Sequence, residues 1–379
     1  MNSQIKVFIE DSIMQKNEPA TAGSKVLAGF QSPFDAAVVE KLDRAGVKIE
    51  KRLMMDEFGI DDLFSDDDVT LAAIREAAAD KDVCVLCSDI FGKVRRQAAL
   101  HGLSYIRPTY GTVSRYGLIP AAASMDQIGI VCSDAGKGFE ILAAIAGIDE
   151  RDGAMAGCFH VSHNKSMADR SHVPDNKAMP KTLKVAIPEN VWGEADAGIS
   201  GDLGKIFDLV PITLDYFDAY HQVLCILSMA EISNNTNRYD GIKFGYRSPD
   251  SKSLNELYLN TRSEGFTLNT KLAIIIGAYV LAHDNYLDYY EKAMKIRRLV
   301  KESVTFDAYD VIALPVQMKG KPKYEQSALY ALTALAGLPS LTVPFGDAGI
   351  QFVAGTMGED ILAGIMTHMY SVDGARLTG

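Results

Sequence analysis

No apolar run in this sequence is long enough to cross a membrane. The longest, LAIIIGAYVLA from Leu272, falls well short of the ~20 residues a spanning helix needs. Basic residues are also in deficit: 38 Lys and Arg stand against 49 Asp and Glu, a formal net charge of −11. That sign argues against direct, non-specific nucleic-acid binding, which needs a basic surface to displace counterions. Contact with RNA through a partner subunit stays open. The start, MNSQIKVFIED, lacks a basic segment ahead of a long apolar core, so no signal peptide is expected. Cysteine is scarce, five residues in no framework spacing, which fits a reducing compartment and predicts a cytoplasmic protein. Cys84 and Cys87 form a C-x-x-C inside a strand-like run, where they read as core residues rather than a redox or metal pair. His160, His163 and His172, with Cys158, fall in a polar loop and read as solvated side chains rather than a metal site. Neither a metal nor a cofactor is expected.

What the chain does have is core material, 47% hydrophobic residues beside 23% charged, and an alternation of strand and helix patterns. IKVFI, VKIEKRL and VCVLC read as strands. SPFDAAVVEKLDRAG reads as a helix capped by Ser32, with Pro33 in its first turn and Gly46 at its end. Asp66, Asp67 and Asp68 open a further helix, TLAAIREAAAD, and Ser133 caps FEILAAIAG, which Gly147 ends. After a polar stretch from Asp149 to Lys181, LKVAIP resumes the strands. Four helical segments then fill the middle third, and strands and helices return from YDVIALPV to the end. No repeat, low-complexity tract or flexible linker interrupts the order. The pattern predicts one α/β domain over 1–379 with a helical insertion.

The segment SDIFGKVRRQ (Ser88 to Gln97) raises the functional question. A buried strand delivering its chain to a Gly-containing turn is a common way to display a reactive side chain. The side chain displayed here is Lys93, followed by Arg95 and Arg96. Downstream lie IRPTYGTVSRYGLIPAAASMDQIG, AEISNNTNRYDGIKFGYRS, TRSEGF, YYEKAMKIR and AGLPSLTVPFG; upstream lie TAGSKVLAGFQSPFDAAVVEKLDRAG and MDEF. Together these segments resemble the amidase signature family over nearly the whole chain. The likeness is greatest to the A subunits of glutamyl-tRNA(Gln) and aspartyl-tRNA(Asn) amidotransferases.

The resemblance implies a large mixed β-sheet with helices on both faces. It also implies a Ser-Ser-Lys catalytic group whose oxyanion is held by backbone N–H groups of the glycine-rich turn. In the amidotransferase, ammonia released from glutamine passes to a partner protein that works on glutamyl-tRNA. Candidate partners by this likeness are B- and C-type subunits; a homo-oligomer is the other reading.

The departures fall on the chemistry. Against a family turn of the form SDTGGS-x-R, this chain keeps Ser88, Asp89, Gly92 and Arg95 but has Lys93 at the nucleophile position and Phe91 for a glycine. The oxyanion turn would be Ile90, Phe91 and Gly92, with Phe91 expected to restrict the backbone there. The family lysine is placed before MDEF, at Arg52, which cannot act as a neutral base; Lys51 would face the opposite side of a strand. The glycine- and serine-rich loop that carries the bridging serine is shortened around 59–70, leaving Ser65 and Thr70. By the same likeness, the chain starts at the family's first core strand.

Asp89 and Arg95 are expected to pair and hold the turn. Arg297 and Tyr246 are the substrate-binding candidates, with a polar helix face and packing as their alternative roles. Ser327 falls where an acidic partner for a substrate amino group is implied. Three readings of function follow. The first is a non-catalytic binding or scaffold subunit. The second is an enzyme rebuilt around Lys93, which otherwise simply pairs with Asp89 or Glu57. The third is a sensor in which Arg52, Lys93 and Arg297 make a cationic pocket for a small carboxylate or amide.

Overall fold

The computed structural model describes residues 5–60, 71–155, 183–193, 197–243, 245–346 and 348–372. Its strands are β1 Lys6–Glu10, β2 Ile49–Leu53, β3 Val83–Ser88, β4 Ser104–Arg107, β5 Ile128–Cys132, β6 Lys184–Pro188, β7 Asp208–Ile212, β8 Val311–Pro315, β9 Ser340–Phe345 and β10 Ala348–Ala354. Its helices are α1 Ala37–Arg44, α2 Ala72–Ala79, α3 Lys93–Leu100, α4 Ala135–Ile145, α5 Ala197–Leu203, α6 Tyr220–Thr236, α7 Leu254–Gly265, α8 Leu268–Leu281, α9 Lys292–Ser303, α10 Ala328–Ala336 and α11 Glu359–Val372. All ten strands join one sheet in the order β2-β1-β3-β5-β4-β9-β10-β8-β6-β7. It is mixed: β1 runs parallel to β2 and β3, while β5 is antiparallel to both β3 and β4.

Strand β3 shows why the sheet lies inside. Val83, Val85 and Cys87 pack into one apolar cluster, with α2 and the inner side of α3, while Cys84 and Leu86 pack into the larger cluster on the other face. A strand buried on both faces must be apolar at every position, which is the character of VCVLC. The same alternation puts Cys84 and Cys87 on opposite faces, so the C-x-x-C is not a shared site.

Two helix starts differ from the sequence reading. Helix α1 begins at Ala37, not near Pro33, because Ser32 instead closes a turn, its Oγ donating to the Phe34 carbonyl at 2.6 Å. Asp35 is also engaged elsewhere, its Oδ1 accepting the Lys16 N–H at 2.7 Å. Helix α4 is capped by Asp134, whose side chain accepts the N–H groups of Gly136 and Lys137; Ser133 points to the Ala77 carbonyl. Gly46 and Gly147 end their helices as expected, both at positive φ. The Asp66–Asp68 helix start, Ser65, Thr70 and the His160–His172 cluster with Cys158 lie outside the described residues. Helices α6 to α9 fill the interval between β7 and β8, the helical insertion read from the sequence. Among the described residues no helix is long and apolar enough to cross a membrane.

Candidate functional site

The turn after β3 is organised by Asp89. Its Oδ1 accepts the Gly92 N–H at 2.9 Å, and its Oδ2 accepts the Arg95 N–H at 3.1 Å and Nε at 2.8 Å. One carboxylate thereby satisfies two of the open N–H groups at the start of α3 and places negative charge at the helix's positive end. Gly92 has φ +93, and a Cβ there would lie 2.1 Å from the Tyr330 ring, so both backbone angle and space demand glycine. Phe91, by contrast, is buried without a positive φ. Phe91 therefore sits in the turn without left-handed strain; the position that demands glycine is Gly92, which is retained.

Arg95 is completely buried. Beyond Asp89, its Nη1 donates to Thr333 Oγ1 at 2.7 Å and to Gln351 Oε1 at 3.2 Å, and the guanidinium lies 4.8 Å from the Tyr330 ring centre. Arg107 donates to the Asp89 carbonyl at 2.9 Å, and burial pushes its guanidinium down to about 10. Asp89 and Arg95 thus pair and fix the turn. A buried charge pair with all its remaining donors satisfied is the arrangement that tolerates such burial.

The turn opens on a cavity of about 200 Å³ whose polar lining includes Glu10, Asp56, Ser88, Asp89 and Lys93, with Phe58 and Phe91 in its apolar wall. Lys93 reaches across to Asp56, Nζ to Oδ2 2.7 Å, with its side chain only 13% exposed. The partner is neither Asp89 nor Glu57. Both Asp89 oxygens already serve Gly92 and Arg95, and Glu57 accepts from Ser24 Oγ and from the N–H of Thr267 at 2.8 Å. Glu10 ends β1 beneath the turn and accepts the Ser88 N–H at 3.1 Å. Burial, reinforced by Asp11, Asp89 and Asp56, pushes its carboxyl up to about 8, so at neutral pH it is largely the uncharged acid.

The three cations expected to share a pocket do not meet. Register decides Arg52: it pairs with Ile9 and so faces the side of the sheet opposite to Glu10, which pairs with Leu53. Its guanidinium donates to the carbonyls of Ile13 at 3.0 Å and Pro19 at 2.9 Å, outside the cavity. Lys51 does face the other way, as expected, and binds Glu76 at 2.5 Å. Arg297 spends all three nitrogens on structure, Nε on the Leu335 carbonyl at 2.8 Å and Nη1 and Nη2 on Ser124 at 2.8 and 3.1 Å. These bonds tie α9 to the end of α10 and to the segment at Ser124, and Arg297 does not line the cavity at the turn. Tyr246 bonds Glu264 and takes Lys25 over its ring at 4.3 Å; it does not line the cavity. Ser327 lies 2.7 Å from His221 Nδ1, also outside this cavity.

Glu10 and Asp56 are the site residues that sequence reasoning missed. Asp56 sat within the MDEF segment, and Glu10 was the charged end of a strand of mostly apolar residues, a signal that was available.

Comparison with known proteins supplies the family. The family model described as Amidase matches residues 77–363. The chain belongs to the amidase family. The A subunit of glutamyl-tRNA(Gln) amidotransferase from Solidesulfovibrio magneticus is 32% identical over 90% of this chain and 76% of its own length. That of Listeria monocytogenes is 32% identical over 96% and 82%. The solved structure of the corresponding Thermotoga maritima protein superposes with a TM-score of 0.68 at 23% identity, over 97% of this chain and 83% of that one. Peptide amidase from Stenotrophomonas maltophilia gives 0.70 at 20% identity, over 98% and 83%. These likenesses show the amidase fold, with its large mixed sheet between helices.

Proposed function

We propose that this chain is a non-hydrolytic member of the amidase family, a binding subunit built on the frame of an amidotransferase A subunit. Family membership and the amidotransferase relatives support an amidase- or amidotransferase-type origin for its function. The observation that carries the finer reading is the Lys93–Asp56 pair at the tip of the turn. An amine is a nucleophile only when its nitrogen lone pair is free. Here the ammonium is matched to a carboxylate, and the nearby acid, Glu10, is itself largely protonated and so a poor proton acceptor at neutral pH. The Gly92 N–H, a candidate oxyanion donor, is already bound by Asp89. What remains is a lined cavity able to bind polar groups, on a frame shared with amidotransferase components.

The test is ammonia release from glutamine, asparagine and simple amides by the purified chain and by Lys93→Ala. No release from either is expected. Release that disappears in the variant would overturn the reading in favour of chemistry rebuilt on Lys93, to which the placement of Lys93 and Glu10 around one cavity also lends support. Borohydride trapping of a carbonyl compound on Lys93 would be the matching positive result.

A further inference from the structure

Helix α8 is apolar on its outer face. Its inner stripe, Thr270, Ala273, Gly277 and Val280, is buried. The helix lies so close to α6 that a Cβ at Gly277 would sit 2.1 Å from the Met229 carbonyl oxygen. That clamp leaves the opposite stripe bare. Leu268 is 69% exposed, Ile275 64% and Tyr279 52%, with Leu272 and Ile276 also exposed between them. Tyr289 extends the patch, its ring 5.6 Å from that of Tyr279. These six side chains present on the order of 600 Å² of apolar surface, at the upper end of the ~300–600 Å² that the largest patch of a monomer reaches.

We propose that a second copy of this chain covers this face, α8 against α8 about a two-fold axis. The spacing Leu268, Leu272, Ile275, Tyr279 steps by four, three and four residues, a ridge that packs against another helix. An axis between Leu272 and Ile275 sets Leu272 against the partner's Ile275 and Leu268 against the partner's Tyr279, so one patch complements itself. Two such patches bury about 1,200 Å² in total, the lower bound for a stable specific interface. Charge points to the same face. The chain carries a net −11, so most surfaces repel a second copy, whereas α8 holds one charged residue, Lys271, in its fourteen. The inference is independent of whether the turn at Lys93 is catalytic.

Sedimentation velocity on the full chain, from low to high micromolar concentration, tests it. The wild type is expected to be a dimer, and Ile275→Asp and Tyr279→Lys each to weaken the dimer at least about tenfold while keeping the monomer's circular-dichroism spectrum. Ile148→Asp, at an exposed apolar residue near the end of α4, should remain a dimer. A wild type that stays monomeric across the range overturns the proposal, as does a dimer indifferent to both α8 changes. A monomer that instead binds phosphatidylcholine vesicles would assign the face to a lipid surface and equally overturn it.

Discussion

Replacing Glu10 by Gln should reshape the pH dependence of stability. The Glu10 carboxyl is pushed from the ordinary 4.5 up to about 8 by burial at the base of the turn. Below about pH 4.5, folded and unfolded chains are both protonated there. Between pH 4.5 and 8 the folded chain keeps the proton and the unfolded chain loses it, so stability falls as pH rises and the contribution is gone above about pH 8. At about 1.4 kcal/mol per unit, the whole window is worth about 5 kcal/mol. Asp126, raised to about 6 by its own burial, gives a slope of the same sign at lower pH, which leaves Glu10 the larger contributor between pH 6 and 8. Gln keeps the shape and, through Oε1, the acceptor for the Ser88 N–H, but does not titrate. Urea midpoints of wild type and Glu10→Gln should therefore coincide near pH 5 and separate in favour of the variant by pH 8.5. Two curves that run parallel from pH 5 to 9 would refute the assignment of Glu10 as a buried, proton-holding acid.

Other substitutions probe the turn and its supports. Gly92→Ala, which combines φ +93 with a Cβ driven into Tyr330, should cost about 3 kcal/mol or more, read as a fall in melting temperature. Arg95→Met leaves the Asp89 carboxylate buried without its cation and should cost about 3–5 kcal/mol. The double variant with Asp89→Asn should lose clearly less than the sum of the singles, and additive losses would argue against a coupled pair. Arg297→Ala breaks the bonds to Leu335 and Ser124 and should cost about 1–3 kcal/mol in chemical denaturation, without changing any glutamine-dependent thermal shift. A loss of ligand shift with stability intact would return Arg297 to a binding role.

The sheet was readable where a strand is apolar throughout, as in VCVLC, and the helical insertion where long segments carry few glycines or prolines. β4, β5 and β7 were less so: β4 and β5 lie within or beside family-like segments, and β7, DLVPI, contains a proline and is half exposed at the sheet edge. The helix start at Ser133 failed because the neighbouring carboxylate of Asp134 takes the cap, and the one at Ser32 because its hydroxyl closes a local turn ahead of α1, whose N-cap is Ala36. At the site, the turn and its Asp89–Arg95 pair were legible because both partners lie within seven residues. Arg52 was not, because a one-residue offset in β2 decides the face and no local pattern sets the pairing with β1. The Lys93–Asp56 pair joins positions 37 residues apart, a separation that sequence spacing cannot reveal.

The proposal that the turn after β3 forms no covalent intermediate is tested most directly by intact-mass spectrometry. Wild type and Lys93→Ala would each be incubated with glutamine, asparagine, an acyl amide and a sulfonyl fluoride. An unchanged mass is expected for both proteins under every condition. A one-equivalent adduct that maps to Lys93 or Ser88 would contradict the non-hydrolytic reading and mark this turn as a working nucleophile.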